Sequence, residues 1–233
     1  MRLLGALFAL GALLSAGAPA MAQPVEVDVE LVLAADGSGS IDDDELAFQR
    51  EGYAAAIESP EFLNVVEAGL VGAVALAYVE WGGPASQHTI VEWTLVSGAA
   101  DAARFAEALR NRPRAARGYN SISEAIAYSH ALINQNGFEG LRKVIDVSGD
   151  GPNIGGRPLE LSRQDAVADG ITINGLVITR PGGVVRRVGG EPLIEHYRRD
   201  VIGGPAAFVM SVDQPENFAE VVRRKLVQEI ARR

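Results

Sequence analysis

The chain has 233 residues, 48% of them hydrophobic and 22% charged, which is enough for one substantial core. Thirty acidic residues against 21 basic ones leave a formal net charge of −9, which argues against nucleic acid or anionic lipid as a partner. There is no cysteine, so neither a disulfide framework nor a thiol-linked lipid anchor can form.

Met1-Arg2 followed by "LLGALFALGALLSAGAPA" and the small-residue pattern Ala20-Met21-Ala22 reads as a secretory signal cleaved near Ala22. The expected organisation is a signal peptide over 1–22 and a single domain over 23–233, exported to the periplasm or beyond; an uncleaved anchor is the alternative. Arg2 is the only charge before Gln23, so the mature balance is 20 basic against 30 acidic residues, or −10. No later run is long and apolar enough to span a bilayer, since Leu70 to Trp81 is short and carries Glu80.

From Gln23 onward strand-like and helix-like patterns alternate, as in an α/β sheet with crossover helices. Val27 to Ala35 reads as the first strand. Asp42 to Ile57 reads as a helix with Ser40 and Asp43 as its capping pair and three acids in its first turn. The continuous apolar run Leu70 to Trp81 suits a central strand, and the more alternating His88 to Val96 suits a one-sided one. Too few residues separate them for a crossover helix, so they should form an antiparallel hairpin at the sheet edge. Helices follow at Ala100 to Arg110 and Ser121 to Asn134, then a strand in "RKVIDVSGDG" ending near Ser148. The remainder reads as a helix at Glu160 to Ala168, a strand from Ile171, a short helix over Glu191 to Asp200, a strand from Ala207 and a final helix. That last helix carries Phe218, Val222, Leu226 and Ile230 on one stripe.

Right-handed crossovers arrange such a chain as a three-layer, doubly wound, mostly parallel six-stranded sheet of order 3-2-1-4-5-6, with one antiparallel edge strand and helices on both faces. The first and fourth strands then lie side by side, and their following loops diverge to opposite faces. Those loops are "DGSGS" and "SGDG", which brings Asp36, Ser38, Ser40 and Asp150 to the crevice where this topology makes a binding site. Two carboxylates and two hydroxyls are hard oxygen donors that select magnesium first, then manganese or calcium.

"DGSGS" resembles the D-x-S-x-S signature of the von Willebrand factor type A domain, and the resemblance covers about Val25 to Ile230, edge hairpin included. Within that superfamily the chain is most similar to the bacterial domain of unknown function 1194 group, through "YVEW" at Tyr78 to Trp81 and "VIDVSGDGPN" at Val144 to Asn153. The resemblance implies a metal-ion-dependent adhesion site: one divalent cation faced by Asp36, Ser38 and Ser40 from one loop and by Asp150 from another. An acidic group of a protein partner would take the vacancy. The family's threonine falls on Asn120, with Ser121 beside it; either side chain has an oxygen for a hard cation, but neither has threonine's geometry.

Three other readings stay open. Asp36, Ser38 and Ser40 suit a plain strand-to-helix turn. A von Willebrand A-like scaffold could bind partners without metal. A metal-dependent hydrolase could use Asp36, yet no G-x-S-x-G elbow, Walker loop or dinucleotide fingerprint occurs, and His88, His130 and His196 do not follow strand ends, so no enzyme is expected. The loop Arg180 to Pro192 would rim the same edge, and its Arg180, Arg186 and Arg187 are expected to receive an acidic partner segment.

Overall fold

The computed structural model describes residues 23–179, 187–188 and 190–231. The expected signal peptide and the partner-binding candidates Arg180 and Arg186 lie outside the described residues, as does the side chain of Arg187. No helix of the described residues is long and apolar enough to cross a membrane.

In chain order the elements are β1 (Val25–Asp36), α1 (Asp43–Ile57), α2 (Pro60–Glu67), β2 (Val74–Trp81), β3 (Gln87–Val96), α3 (Ala99–Asn111) and α4 (Ile122–Asn134). Then come β4 (Phe138–Gly149), α5 (Leu159–Ala168), β5 (Thr172–Ile178), the two-residue strands β6 (Arg187–Val188) and β7 (Glu191–Pro192), α6 (Leu193–His196), β8 (Val209–Val212) and α7 (Phe218–Ala231). The main sheet has the order β3-β2-β1-β4-β5-β8, with β2–β3 antiparallel and the other pairs parallel. This is the expected order, because β6 and β7 pair only with each other.

Both faces of the sheet are covered. On one, Tyr53 of α1, Phe62 of α2, Phe105 of α3 and Phe218 and Leu226 of α7 pack on Leu31, Leu33, Leu76 and Tyr78. On the other, Ile122 and Ile126 of α4, Ala166 of α5 and Leu193 of α6 pack on Val32, Ala34, Val79, Trp81, Ile145 and Val147. Alternate residues of β1 therefore serve opposite cores, and truncating one such leucine to alanine costs about 2–5 kcal/mol. The chain leaves β1 for α1 on the first face and leaves β4 for α5 on the second. That divergence opens the crevice between two adjacent strand ends, where Ala35 is level with Ser148 and Asp36 with Trp81.

Several local expectations are corrected. Helix α1 is capped by Asp42, not by Ser40 and Asp43: the Asp42 carboxylate accepts the Glu45 N–H at 2.8 Å, and Glu45 accepts the Asp42 N–H at 2.9 Å. The strand expected from Leu70 begins at Val74. Its first four residues instead wrap a buried acid, with the backbone N–H groups of Leu70, Val71, Gly72 and Ala73 all donating to Asp28. A helix absent from the sequence reading, α2, precedes it; its start carries the usual signals, Ser59 as cap and Pro60 in the first turn. The short helix expected over Glu191 to Asp200 is divided: Glu191–Pro192 is strand, Leu193–His196 is α-helix, and Tyr197–Val201 is a π-turn.

Candidate metal-binding loop cluster at the sheet edge

The loop after β1 turns at once on its own aspartate. The Ser38 N–H donates to Asp36 Oδ1 at 2.8 Å, which folds the serine back over the strand end. Gln49 of α1 donates to the Asp36 carbonyl at 3.1 Å, and the Gly37 N–H donates to the Trp81 carbonyl at 2.9 Å. Arg114 clips the outside, giving hydrogen bonds of 2.9 and 2.8 Å to the carbonyls of Gly37 and Ser38 and one of 3.0 Å to Asp43. Arg50 braces the chain behind it, bonding the carbonyls of Arg112 and Pro113 and forming a buried 2.5 Å ion pair with Glu80. The sequence reading missed the roles of both arginines; Arg114 belongs to the arginine-dense stretch before Asn120, whereas Arg50 sits in α1 with no comparable signal.

Four of the expected ligands lie around Asp36. The hydroxyl oxygens of Ser38 and Ser40 are 3.1 Å apart, and the Ser40 hydroxyl donates to Asp150 Oδ1 at 3.1 Å. The Ser38 hydroxyl donates to Asn120 Oδ1 at 3.5 Å, while Asn120 Nδ2 donates to Asp36 Oδ2 at 2.8 Å. The Asp150 N–H also reaches Asp36 Oδ2, at 3.4 Å. Ser121 stands apart: its hydroxyl turns to the Gly155 carbonyl at 3.3 Å, so of the two alternatives at the threonine position Asn120 faces the cluster. The acids Asp43 and Asp44 stay exposed on the first turn of α1.

Electrostatically the centre is under tension. Asp36 is fully buried, and desolvation, opposed by the Ser38 N–H and reinforced by the negative field of Asp150, pushes its carboxyl pKa up to about 6. No lysine or arginine of the described residues pairs with the Asp36 side chain; its donors are neutral. Among the described residues no group of three or more histidine, cysteine or acidic side chains is placed to hold a metal ion by itself, so an ion here would lean on hydroxyl and amide oxygens as well as carboxylates.

A second layer backs the cluster. His196 Nε2 accepts the Asn153 N–H at 3.4 Å, and its Nδ1 lies 2.8 Å from Asp200. Tyr197, fully buried, packs behind Gly149 and Asp36. The sequence reading set His196 aside as a possible catalytic base and passed over Tyr197. Only the return of the segment after β5 to this edge brings them here.

The fold has many relatives of low sequence identity. The pilus adhesin SpaC from Lactobacillus rhamnosus GG is similar with a TM-score of 0.60 at 14% identity, over 90% of this chain and 31% of that one. A von Willebrand factor type A protein from Catenulispora acidiphila gives 0.58 at 16% identity, over 88% of this chain and 43% of that one. Proximal thread matrix protein 1 from the mussel byssus, in a form with a zinc-occupied MIDAS motif (metal-ion-dependent adhesion site), gives 0.57 at 14%, over 86% and 46%. The chain thus spans about a third to a half of the length of these proteins, and at such identities the likeness establishes the fold alone. No curated protein matches it in sequence. The family model "Protein of unknown function (DUF1194)" matches residues 26–233, so this von Willebrand A-like chain belongs to the DUF1194 family.

Proposed function

We propose that the protein is an exported binding module that holds one divalent cation in the loop cluster and uses it to capture an acidic group of a protein partner. The observation that carries the reading is the spacing of the oxygen donors. An octahedral ion with bonds of about 2.1 Å has ligand oxygens about 3 Å apart along each edge. Ser38 Oγ to Ser40 Oγ and Ser40 Oγ to Asp150 Oδ1 each measure 3.1 Å. The donor set is all oxygen, which suits magnesium, manganese or calcium. A bound ion would supply Lewis acidity toward a carboxylate from outside.

The chain's own residues divide the remaining work. Ser38, Ser40, Asn120 Oδ1 and Asp150 would face the ion, while Asp36, whose oxygens already accept N–H groups, would act at longer range by its charge. The fold relatives that include an adhesin and a zinc-occupied adhesion motif support the class of function. The role proposed is binding rather than catalysis.

The test is calorimetric titration of the protein with Mg2+ and Mn2+, followed by capture of acidic peptides with and without chelator. One site is expected, lost in Asp36→Ala; absence of heat and of any thermal shift at millimolar metal overturns the reading. One observation favours a metal-independent scaffold instead: the Asn120 amide donates to Asp36 from the threonine position and partly offsets its charge. In that case partner capture would survive chelation, and Asn120→Thr would create metal binding absent from the natural chain.

A further inference from the structure

Tyr197 opens the π-turn after α6, and its side chain is entirely buried. Its hydroxyl has no hydrogen-bond partner among the described residues. Such a group is rare in a folded interior, because desolvating a donor without replacing its water is costly.

The hydroxyl's surroundings indicate what it awaits. A Cβ placed on Gly149 would lie 2.8 Å from the Tyr197 hydroxyl oxygen, 3.0 Å from Trp81 Cζ2 and 3.1 Å from Asp36 Oδ2. Three side chains thus close on one bare Cα, immediately before Asp150. The backbone of Gly149 is not in the left-handed region, so the glycine is needed there for space rather than for conformation. Burial first, and then the negative fields of Asp36, Asp150 and Asp146, hold the phenol well above its usual pKa, so it remains a donor. The neighbouring His196 touches the loop of Asp150 through the Asn153 N–H, so the same short segment backs both sides of the cluster.

We infer that Tyr197 is a positioning residue of the loop cluster, its hydroxyl donating to the Asp36 carboxylate from behind when the cluster holds a divalent cation. The inference rests on the cation reading above and adds a segment, the π-turn after α6, that the adhesion-site signature does not contain. A phenol proton can satisfy a carboxylate without competing for the ion, since it adds no charge and approaches from the core side. The hydroxyl would be unsatisfied in the metal-free protein and satisfied in the loaded one, so its contribution belongs to binding rather than to folding.

Tyr197→Phe removes the oxygen and keeps the ring, which lies in the second core beside Gly175. The experiment pairs calorimetric Mn2+ titration with melting of the metal-free protein, for the natural chain and the variant. Expected is an affinity for Mn2+ about ten-fold weaker, as for loss of a hydrogen bond to a charged group, with a metal-free melting temperature equal to or above that of the natural chain. A purely structural tyrosine would instead lower the metal-free melting temperature. Unchanged affinity, or a loss of affinity matched by a loss of metal-free stability, overturns the inference. If the natural chain binds no Mn2+ the cation reading falls and takes this one with it, whereas Mn2+ binding that is indifferent to Tyr197→Phe removes this inference alone.

Discussion

Asp36 and Asp146 end up buried in the same sheet, on strands that are neighbours, yet the protein treats them in opposite ways. Asp146 receives its own cation: Lys225 of α7, itself buried, lies 2.5 Å from it and 2.5 Å from Glu229, whose other neighbour is the Asn174 amide at 2.9 Å. Glu80 is treated likewise by Arg50. Asp36 receives only neutral donors, and burial drives its carboxyl to about 6. Where a buried carboxylate serves the fold, the chain provides a counter-ion, as at Asp146 and Glu80, or a set of four backbone N–H donors, as at Asp28. Where it ends a strand at the crevice, the chain leaves the charge uncompensated by its own lysines and arginines, and the conformation therefore has something to gain from a cation supplied from outside.

The largest effect is expected from removing the internal counter-ion. Lys225→Met leaves Asp146 and Glu229 facing each other in the interior and should destabilise the protein by about 3–5 kcal/mol, read from denaturant unfolding. Glu229, already pushed up to about 7 by burial and then by Asp146, would take up a proton in the variant near neutral pH.

The second effect is a pH dependence with a definite sign. Asp36 has a folded-state pKa of about 6 against an ordinary value of 3.8, so the folded state binds this proton more tightly than the unfolded one. Its contribution to stability is fully present below pH 3.8 and is lost as pH rises through 6. The loss amounts to about 3 kcal/mol. Subtracting the unfolding curve of metal-free Asp36→Ala from that of the natural chain isolates it; a difference independent of pH between 4 and 7 would break the comparison.

A bound ion must reverse that trend, because it competes with the proton. Mn2+ at a hundred times its dissociation constant should stabilise the protein by about 2.7 kcal/mol at pH 7.5 and by clearly less at pH 5, measured as shifts in Tm. Smallest is the effect of Asp42→Ala. It removes a helix cap and should cost about 1 kcal/mol while leaving Mn2+ affinity unchanged, which separates an acid that caps a helix from one that serves the crevice.

Much of this arrangement is legible in the amino-acid order. The short gap between β2 and β3 admits no crossover helix and so forces the antiparallel edge, and the remaining order follows from connection length and handedness. Once the ends of β1 and β4 are placed, Asp36 and Asp150 must end neighbouring strands. What is not legible depends on contacts between distant segments. Asn120 turns to Asp36, 84 residues back, while the Ser121 hydroxyl turns to the Gly155 carbonyl, 34 residues further on. The approach of Tyr197 depends on the chain returning to the edge after β5, and on a glycine whose role is to leave room. The helix α2 was announced by Ser59 and Pro60 but obscured by the apolar run that follows, whose first residues serve Asp28 and not the sheet.

The turn between β2 and β3 has a reach beyond its own hairpin. The Ser121 N–H hangs from the Gly82 carbonyl at 2.8 Å, and the Gly83 N–H holds the Arg117 carbonyl at the same distance. A Cβ on Gly82 would come within 2.3 Å of that Arg117 oxygen. Asn120 is thus suspended from the outermost hairpin of the sheet, at a turn that directly follows Trp81 of the second core, so a substitution on that rim would shift Asn120 against Asp36 without touching either residue.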